Sequence, residues 1–151
     1  MKQEDKELLL KDLCARLPYG VIGLYAWKNK KSYDKELTGD LYDELKSSWN
    51  STEDSQFLPY LRPMDSMTKE ETKELFKEIG FEFTCNTCGI PAHYNYEFAE
   101  QIKGIPTITN VEFIKVIDWL NAHHFDFRYL IEKGLAIEVT EENNPYREQH
   151  S

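Results

Sequence analysis

Two cysteines and a histidine near the middle of the chain come closest to a metal-binding pattern. Cys85 and Cys88 are separated by two residues and followed by a glycine, and His93 lies shortly after them. Two thiolates at this spacing suit a tight turn that binds zinc or iron, with His93 as a third ligand. A structural zinc site needs four ligands, so the fourth would be His123, His124 or a residue of a second protomer. Because a single cysteine pair is a weak signal, two reduced, partly buried cysteines are the preferred interpretation. We therefore expect no cofactor, and a bound zinc ion is the alternative.

The adjacent histidines suggest a second metal or acid–base hypothesis. Neighbouring positions on a helix point about 100° apart, so both rings can face one site only where the helix has ended. We expect a structural role instead. One imidazole, of His123 or His124, would cap free carbonyl groups at a helix C-terminus, and the other would bond to Asp126 or Asp118.

Other polar residues have simple structural interpretations. Asp126 is predicted to cap a helix, and Arg128 to form a surface or inter-helix salt bridge. Arg62, between two prolines, is predicted to pack its aliphatic stem and keep its charged head in water. Cys14 is predicted to be a small core residue. No phosphate-binding loop, dinucleotide-binding glycine pattern, metalloprotease helix or nucleophile elbow occurs, so we expect no catalytic residue and no enzymatic activity.

The elements that would position these residues follow from hydrophobic periodicity and turn signals. Helices are predicted at residues 4–17, 69–79, 111–122 and 127–133, and strands at 21–27, 33–37, 81–84 and 135–139. Residues 40–49 fit a helix that Asp40 could cap, with a strand as an almost equal alternative. Residues 50–56 have the composition of a loop, 57–63 that of an extended edge segment with two prolines, and 85–106 are irregular.

Local signals mark the helix ends. Thr68 and Glu71 fit a capping box, Asn110 could cap the next helix, and Gly134 is placed where a left-handed residue closes the last one. The apolar face of the helix at 111–122 is expected to contain Phe113, Ile114, Ile117 and Leu120. Together the elements predict one α+β domain over residues 1–151. It would have an N-terminal helix, a small, mostly antiparallel sheet, a middle helix, and a C-terminal helical pair followed by a strand. The tail after about residue 140 is expected to be flexible.

Charge and composition restrict the classes of partner. The 151 residues carry a formal net charge of −9, which opposes non-specific binding to nucleic acid or to an anionic membrane. No apolar run approaches the roughly 20 residues that span a bilayer, and the charged N-terminus lacks a signal-peptide core. Three cysteines do not suggest a disulfide framework. We therefore expect a soluble cytoplasmic protein.

Three sequence blocks carry a resemblance to a known family. They are KDLCARLPYGV at residues 11–21, PYLRPMDSMT at 59–68 and DWLNAHHFDFR at 118–128, and LIEKGLA at 130–136 accompanies them. The chain resembles a family of short, uncharacterised proteins from anaerobic gut bacteria, frequent in phage-like and mobile regions. The resemblance implies a bacterial, cytoplasmic origin and a mobile-element setting, and it implies no catalytic residue. The Cys85/Cys88 pair is not part of that family pattern.

The leading hypothesis is a small non-enzymatic protein that binds another protein through exposed aromatic residues, which dominate interface energetics. The candidate contacts are Tyr60, Tyr94, Tyr96 and Tyr129. One alternative is a nucleic-acid-binding regulator, because residues 126–139 have the outline of the end of a winged helix-turn-helix. Its charge balance is poor for that role. A second alternative is a zinc-stabilised binding module built around Cys85, Cys88 and His93.

Overall fold

The computed structural model describes residues 1–78 and 110–146. Within these ranges the helices are α1 (Gln3–Arg16), α2 (Gly39–Ser51), α3 (Lys69–Glu78) and α4 (Asn110–Ala122). The strands are β1 (Ile22–Trp27), β2 (Tyr33–Glu36), β3 (Ser55–Pro63), β4 (Phe125–Asp126) and β5 (Ile137–Glu138). Single 3₁₀ turns follow α1 at Leu17–Tyr19 and β3 at Met64–Ser66. The fold is α+β, as predicted.

The sheet is mixed, with antiparallel pairing in its larger part. β1 lies between β2 and β3 and is antiparallel to both. The second half of β3 pairs in parallel with β4 and β5. The prediction that residues 57–63 form an edge segment is therefore wrong, since β3 lies inside the sheet. Its prolines are tolerated because Pro59 occupies the last register position of the β1 ladder and Pro63 ends the strand.

Helices α1 and α2 form the main core with the sheet. Leu9 and Leu13 of α1 are fully buried, as the leucine periodicity predicts. Leu41, Leu45 and Trp49 lie four residues apart on α2, and all three are buried. Of the two predicted alternatives for residues 40–49, the helix is therefore correct and the strand is wrong.

Two predictions about these helices are wrong. The cap of α2 is Thr38, whose Oγ1 accepts a hydrogen bond from the amide of Leu41 at 3.2 Å, and not Asp40, which lies in the first turn. Cys14 is exposed rather than a core residue, because α1 turns the face with Leu9 and Leu13 toward the sheet. The predicted loop at 50–56 is also shorter, since α2 continues to Ser51 and β3 begins at Ser55.

A second, smaller apolar cluster joins α3, α4 and β4. Its buried members are Met67, Leu75, Val116, Trp119, Leu120 and Phe125. The capping box at the start of α3 is confirmed, because Thr68 and Glu71 exchange backbone-to-side-chain hydrogen bonds of 3.0 and 3.1 Å. The predicted face of α4 is wrong at Ile114, which is 59% exposed, since Val116 and Trp119 face the cluster instead.

Some predicted elements lie outside the described residues. They are the end of the helix at Ile79, the strand at 81–84 and the irregular stretch at 85–106. In the two described ranges no helix combines the length and the apolar character needed to cross a membrane.

Candidate functional site

A buried cluster of three charged side chains joins α1 to the segment that follows β4. Asp12 and Arg16, one turn apart on α1, have no exposed side-chain surface, and Arg16 Nε donates to Asp12 Oδ2 at 2.7 Å. The other carboxylate oxygen of Asp12 accepts from Arg128 Nη1 at 2.8 Å. Arg128 does form a salt bridge, but the predicted kind is wrong. It is neither a surface pair nor a bridge between two helices, because it joins a non-helical residue to the buried Asp12 of α1, 116 residues away in sequence.

The cluster holds two guanidinium groups and one carboxylate, so it is cationic. Arg16 Nη2 donates to the backbone carbonyl of Phe125 at 2.6 Å, while its Nη1 is buried and has no hydrogen-bond partner among the described residues. The ring of Phe127 lies against both cations, with its centroid 5.4 Å from Cζ of Arg16 and 4.6 Å from Cζ of Arg128. Cation–π attraction thus compensates part of the excess positive charge.

The segment anchored by this cluster does not form the helix predicted at 127–133. The carboxylate of Asp126 accepts hydrogen bonds from the amides of Leu130 (2.9 Å) and Ile131 (3.0 Å), further along the chain than a helix N-cap reaches. Tyr129 has a φ of 60°, a left-handed conformation that interrupts helical geometry. Residues 127–133 are consequently a series of turns, and the predicted N-cap is a loop clamp instead. Gly134 does adopt the predicted left-handed conformation, with a φ of 73°.

The clamp displays one aromatic ring on the surface. Tyr129 is 50% exposed, although the residues on either side of it are held by buried groups. A left-handed tyrosine costs about 1–3 kcal/mol of local strain and persists only where the surrounding structure enforces it. Here the enforcing contacts are those of Asp126 and Arg128. Tyr60, another predicted contact residue, is 9% exposed and so is buried. Tyr94 and Tyr96 lie outside the described ranges.

The two histidines directly follow α4, and their rings contact different neighbours. His123 Nδ1 lies 2.9 Å from the carbonyl oxygen of Trp119, which confirms the predicted capping of a helix carbonyl, and its ring stacks on Trp119 with centroids 3.9 Å apart. His124 has a φ of 64° and stacks on Tyr146 with centroids 3.8 Å apart. The two rings thus stack on different neighbours. The predicted bond from the other imidazole to Asp126 or Asp118 stays a prediction.

Tyr146 connects the end of the described chain to the centre of the sheet. Its hydroxyl accepts from the amide of Ile22 at 3.0 Å and lies 2.8 Å from the carbonyl oxygen of Tyr60, to which it donates. In the β1–β3 ladder the pair after Gly23 and Pro59 would be Ile22 and Tyr60. The Tyr146 hydroxyl lies between the backbones of these two residues and bonds to both. Burial raises the pKa of Tyr146 far above its ordinary value. Residues 140–146, which we expected to be a flexible tail, therefore contribute a buried ring to the core.

Arg62 forms a second internal ion pair. Its Nη1 and Nη2 donate to the two carboxylate oxygens of Glu71 at 2.7 and 2.6 Å, and its Cζ lies 4.2 Å from the centroid of the Phe125 ring. The prediction that the head of Arg62 lies in water is therefore wrong. Burial opposes ionisation of Glu71, but the bonds from Arg62 and Thr68 outweigh burial and lower its pKa below the ordinary value.

The predicted metal ligands Cys85, Cys88 and His93 lie outside the described residues, so the zinc hypothesis stays a prediction. In residues 1–78 and 110–146 no group of three or more histidine, cysteine or acidic side chains could hold a metal ion.

Sequence reasoning overlooked the Asp12–Arg16 pair. A usable signal was present, because residues 9, 12, 13 and 16 share one face of a helix, so two charged residues at 12 and 16 lie on the leucine face. Comparison of the chain with protein-family models, curated proteins and solved structures finds no match.

Proposed function

We propose that this chain is a small, non-enzymatic, cytoplasmic protein of a bacterial or mobile-element system and that it binds another protein. The observation that carries the proposal is the half-exposed ring of Tyr129 on a clamped, left-handed turn. A tyrosine whose backbone is fixed before binding loses less conformational entropy when it enters a partner's pocket. Tyrosine is also among the residues most enriched at interface hot spots.

The anchoring beneath Tyr129 supports this proposal. The buried charges of Asp12, Arg16 and Arg128 fix the turn to α1, and Asp126 closes it from the other side. A buried ion cluster stabilises a fold less than an apolar core of the same volume does, so it is better explained by a demand for a defined conformation. Holding an exposed aromatic ring in a fixed position for binding would require such a defined conformation.

The arginine contacts favour a protein partner over the nucleic-acid alternative. The chain has four arginines, and three of them, Arg16, Arg62 and Arg128, form ion pairs inside the protein. Arginine is the residue most often used to read guanine and to contact phosphate. The recognition helix expected at 127–133 is also a series of turns. A winged-helix protein needs a recognition helix and free cationic side chains to contact DNA. The internal ion pairs of the arginines and the turns at 127–133 therefore both count against that hypothesis.

Site-specific photocrosslinking tests the proposal. p-Benzoylphenylalanine would replace Tyr129 in one variant and Tyr33 in the other, because the two tyrosines are 50% and 52% exposed. We expect one dominant protein adduct from position 129 in bacterial cells that carry the gene. Position 33 should not yield that adduct, whatever other protein it contacts. The absence of an adduct at position 129, or the same set of adducts at both positions, would contradict the proposal.

A further inference from the structure

A groove of about 400 Å³ lies beside the sheet, between β2 and the segment at residues 142–145. Its volume is within the range of sites that hold a ligand side chain or small molecule. Its apolar lining comes from Ile22, Tyr60 and Pro145, and its acidic lining from Asp34, Glu36 and Glu142.

Among the described residues, the one cation that lines the groove does not neutralise these acids. Lys35 follows Asp34 on β2, and successive side chains of a strand point to opposite faces. Its ammonium group accordingly lies 5.1 Å from the centroid of the Tyr25 ring, in a cation–π contact. Tyr25 does not line the groove. The groove therefore presents three carboxylates to an incoming ligand.

The carboxylates are only partly engaged within the protein. Asp34 is oriented by the hydroxyl of Tyr60, which donates to its Oδ1 at 2.7 Å. Glu36 and Glu142 form no ion pair with any residue in the two described ranges. A lining that combines apolar side chains with carboxylates that form no ion pair in the described ranges suits a side chain that has an aliphatic stem and a cationic head.

The spacing of the acids argues for an organic cation rather than a metal ion. Asp34, Glu36 and Glu142 are not among any described group of acidic side chains close enough to hold one ion. An extended cation can satisfy separated carboxylates one at a time, and the charge of −9 on the chain opposes a second copy of the same protein as the occupant.

We infer that this groove binds an arginine or lysine side chain presented by a basic segment of a partner protein. The inference concerns a surface other than that of Tyr129 and does not depend on the proposed role of that residue. The cationic head contacts Glu36 and Glu142, Asp34 supplies a pre-oriented third carboxylate, and the stem packs along Tyr60 and Pro145.

The test uses the full chain, labelled with ¹⁵N, and a series of capped heptapeptides of glycine and serine. Two positions of each peptide carry arginine, lysine, norleucine or glutamate. We expect the arginine and lysine peptides to shift the amide resonances of residues 34–36 and 142–144, and the norleucine and glutamate peptides to leave them unchanged. Comparison of the arginine and lysine peptides identifies the preferred head group.

Two double variants with the same loss of charge separate a site from general attraction. Glu36→Gln with Glu142→Gln should weaken peptide binding at least tenfold, whereas Glu78→Gln with Glu132→Gln, on exposed residues elsewhere, should change it less than twofold. Absence of shifts with both basic peptides, or equal weakening in both double variants, would overturn the inference.

Two more variants complete the experiment. Arg147 directly follows the described part of the chain, so the experiment includes its side chain as a competing candidate for the groove. If the peptides bind Arg147→Gln but not the unmodified protein, the groove serves the chain's own arginine and the partner proposal fails. Tyr129→Gly should bind the peptides as the unmodified protein does, which keeps this result separate from the crosslinking result.

Discussion

The guanidinium group of Arg16 and the carboxylate of Asp12 meet at 2.7 Å on consecutive turns of α1, and neither side chain has exposed surface. A buried charge loses its hydration, and only a well-placed partner of opposite sign offsets that loss. Asp12 has two such partners because Arg128 reaches its second oxygen. One carboxylate thus links the first helix to the turn that displays Tyr129.

The first prediction concerns removal of that carboxylate's charge. Asp12→Asn leaves two guanidinium groups beside a neutral side chain, and we expect the free energy of unfolding to fall by about 3–5 kcal/mol. Urea denaturation measures the change, and Glu4→Gln, on the exposed part of the same helix, is the control. A loss below about 1 kcal/mol would show that the cluster is not anchored by Asp12. Replacing Asp12, Arg16 and Arg128 together by leucine or methionine should recover most of the lost stability.

The second prediction concerns the hydroxyl of Tyr146. Tyr146→Phe keeps the ring that stacks on His124 but leaves the amide of Ile22 and the carbonyl of Tyr60 without this partner. We expect a loss of about 1–3 kcal/mol, the usual effect of leaving buried polar groups unsatisfied. Tyr33→Phe, at a ring that is 52% exposed, should change stability by less than about 0.5 kcal/mol. Similar losses in the two variants, measured by thermal denaturation, would refute a special role for this hydroxyl.

The third prediction concerns Glu71 at acidic pH. Its pKa is lowered in the folded protein, so the folded state favours the ionised form and gains stability above the unfolded pKa of about 4.5. That gain disappears as the pH falls through the lower, folded-state pKa. Glu71→Gln should therefore cost about 1–3 kcal/mol at pH 7, and its difference from the unmodified protein should shrink below pH 4.5. A difference that stays constant from pH 7 to pH 3 would contradict the Arg62–Glu71 interaction.

The fourth prediction concerns alkaline pH. Burial, followed by the hydrogen bond and charge of Asp34, raises the pKa of Tyr60 to about 12. The unfolded chain loses this phenolic proton near pH 10, so stability is retained below pH 10 and lost as the pH rises toward 12. Tyr60→Phe should reduce the slope of stability against pH in that interval. Absorbance of tyrosinate during a pH titration provides the check, because a Tyr60 that ionises near pH 10 would rule out this environment.

The fifth prediction separates the role of Tyr129 in binding from a role in stability. Glycine adopts the left-handed conformation without strain, so Tyr129→Gly should keep or raise the unfolding temperature. The same variant should lose at least tenfold in affinity for the partner identified by crosslinking. His124→Gly is the matched control, since His124 is also left-handed, with φ of 64°, but stacks on Tyr146 and should be destabilised. Destabilisation of Tyr129→Gly with unchanged binding would reverse the assignment.

Much of the fold was predictable from the sequence because its signals act over short distances. The leucine spacing of α1, the 41, 45, 49 repeat of α2 and the Thr68–Glu71 capping box each depend on contacts within about one or two helical turns. Such patterns fix the type of an element and the face that it buries. The α+β class and the capping of a helix carbonyl by one of the two histidines follow from signals of this kind.

The tertiary structure decided what the sequence could not, because the deciding contacts join residues far apart in the chain. Asp126 has the local signature of a helix cap, yet the clamp on Leu130 and Ile131 and the bond between Arg128 and Asp12 favour a left-handed Tyr129 over a helix. Likewise, the prolines of β3 predict an edge strand. In the structure β4 and β5 pair in parallel with its second half, so β3 is not at an edge. By itself the sequence determined most of the helices and strands and the buried faces of α1 and α2. The buried charge cluster, the Tyr146 hydroxyl in the sheet and the acidic groove exist only because folding brings distant polar groups together where water is excluded.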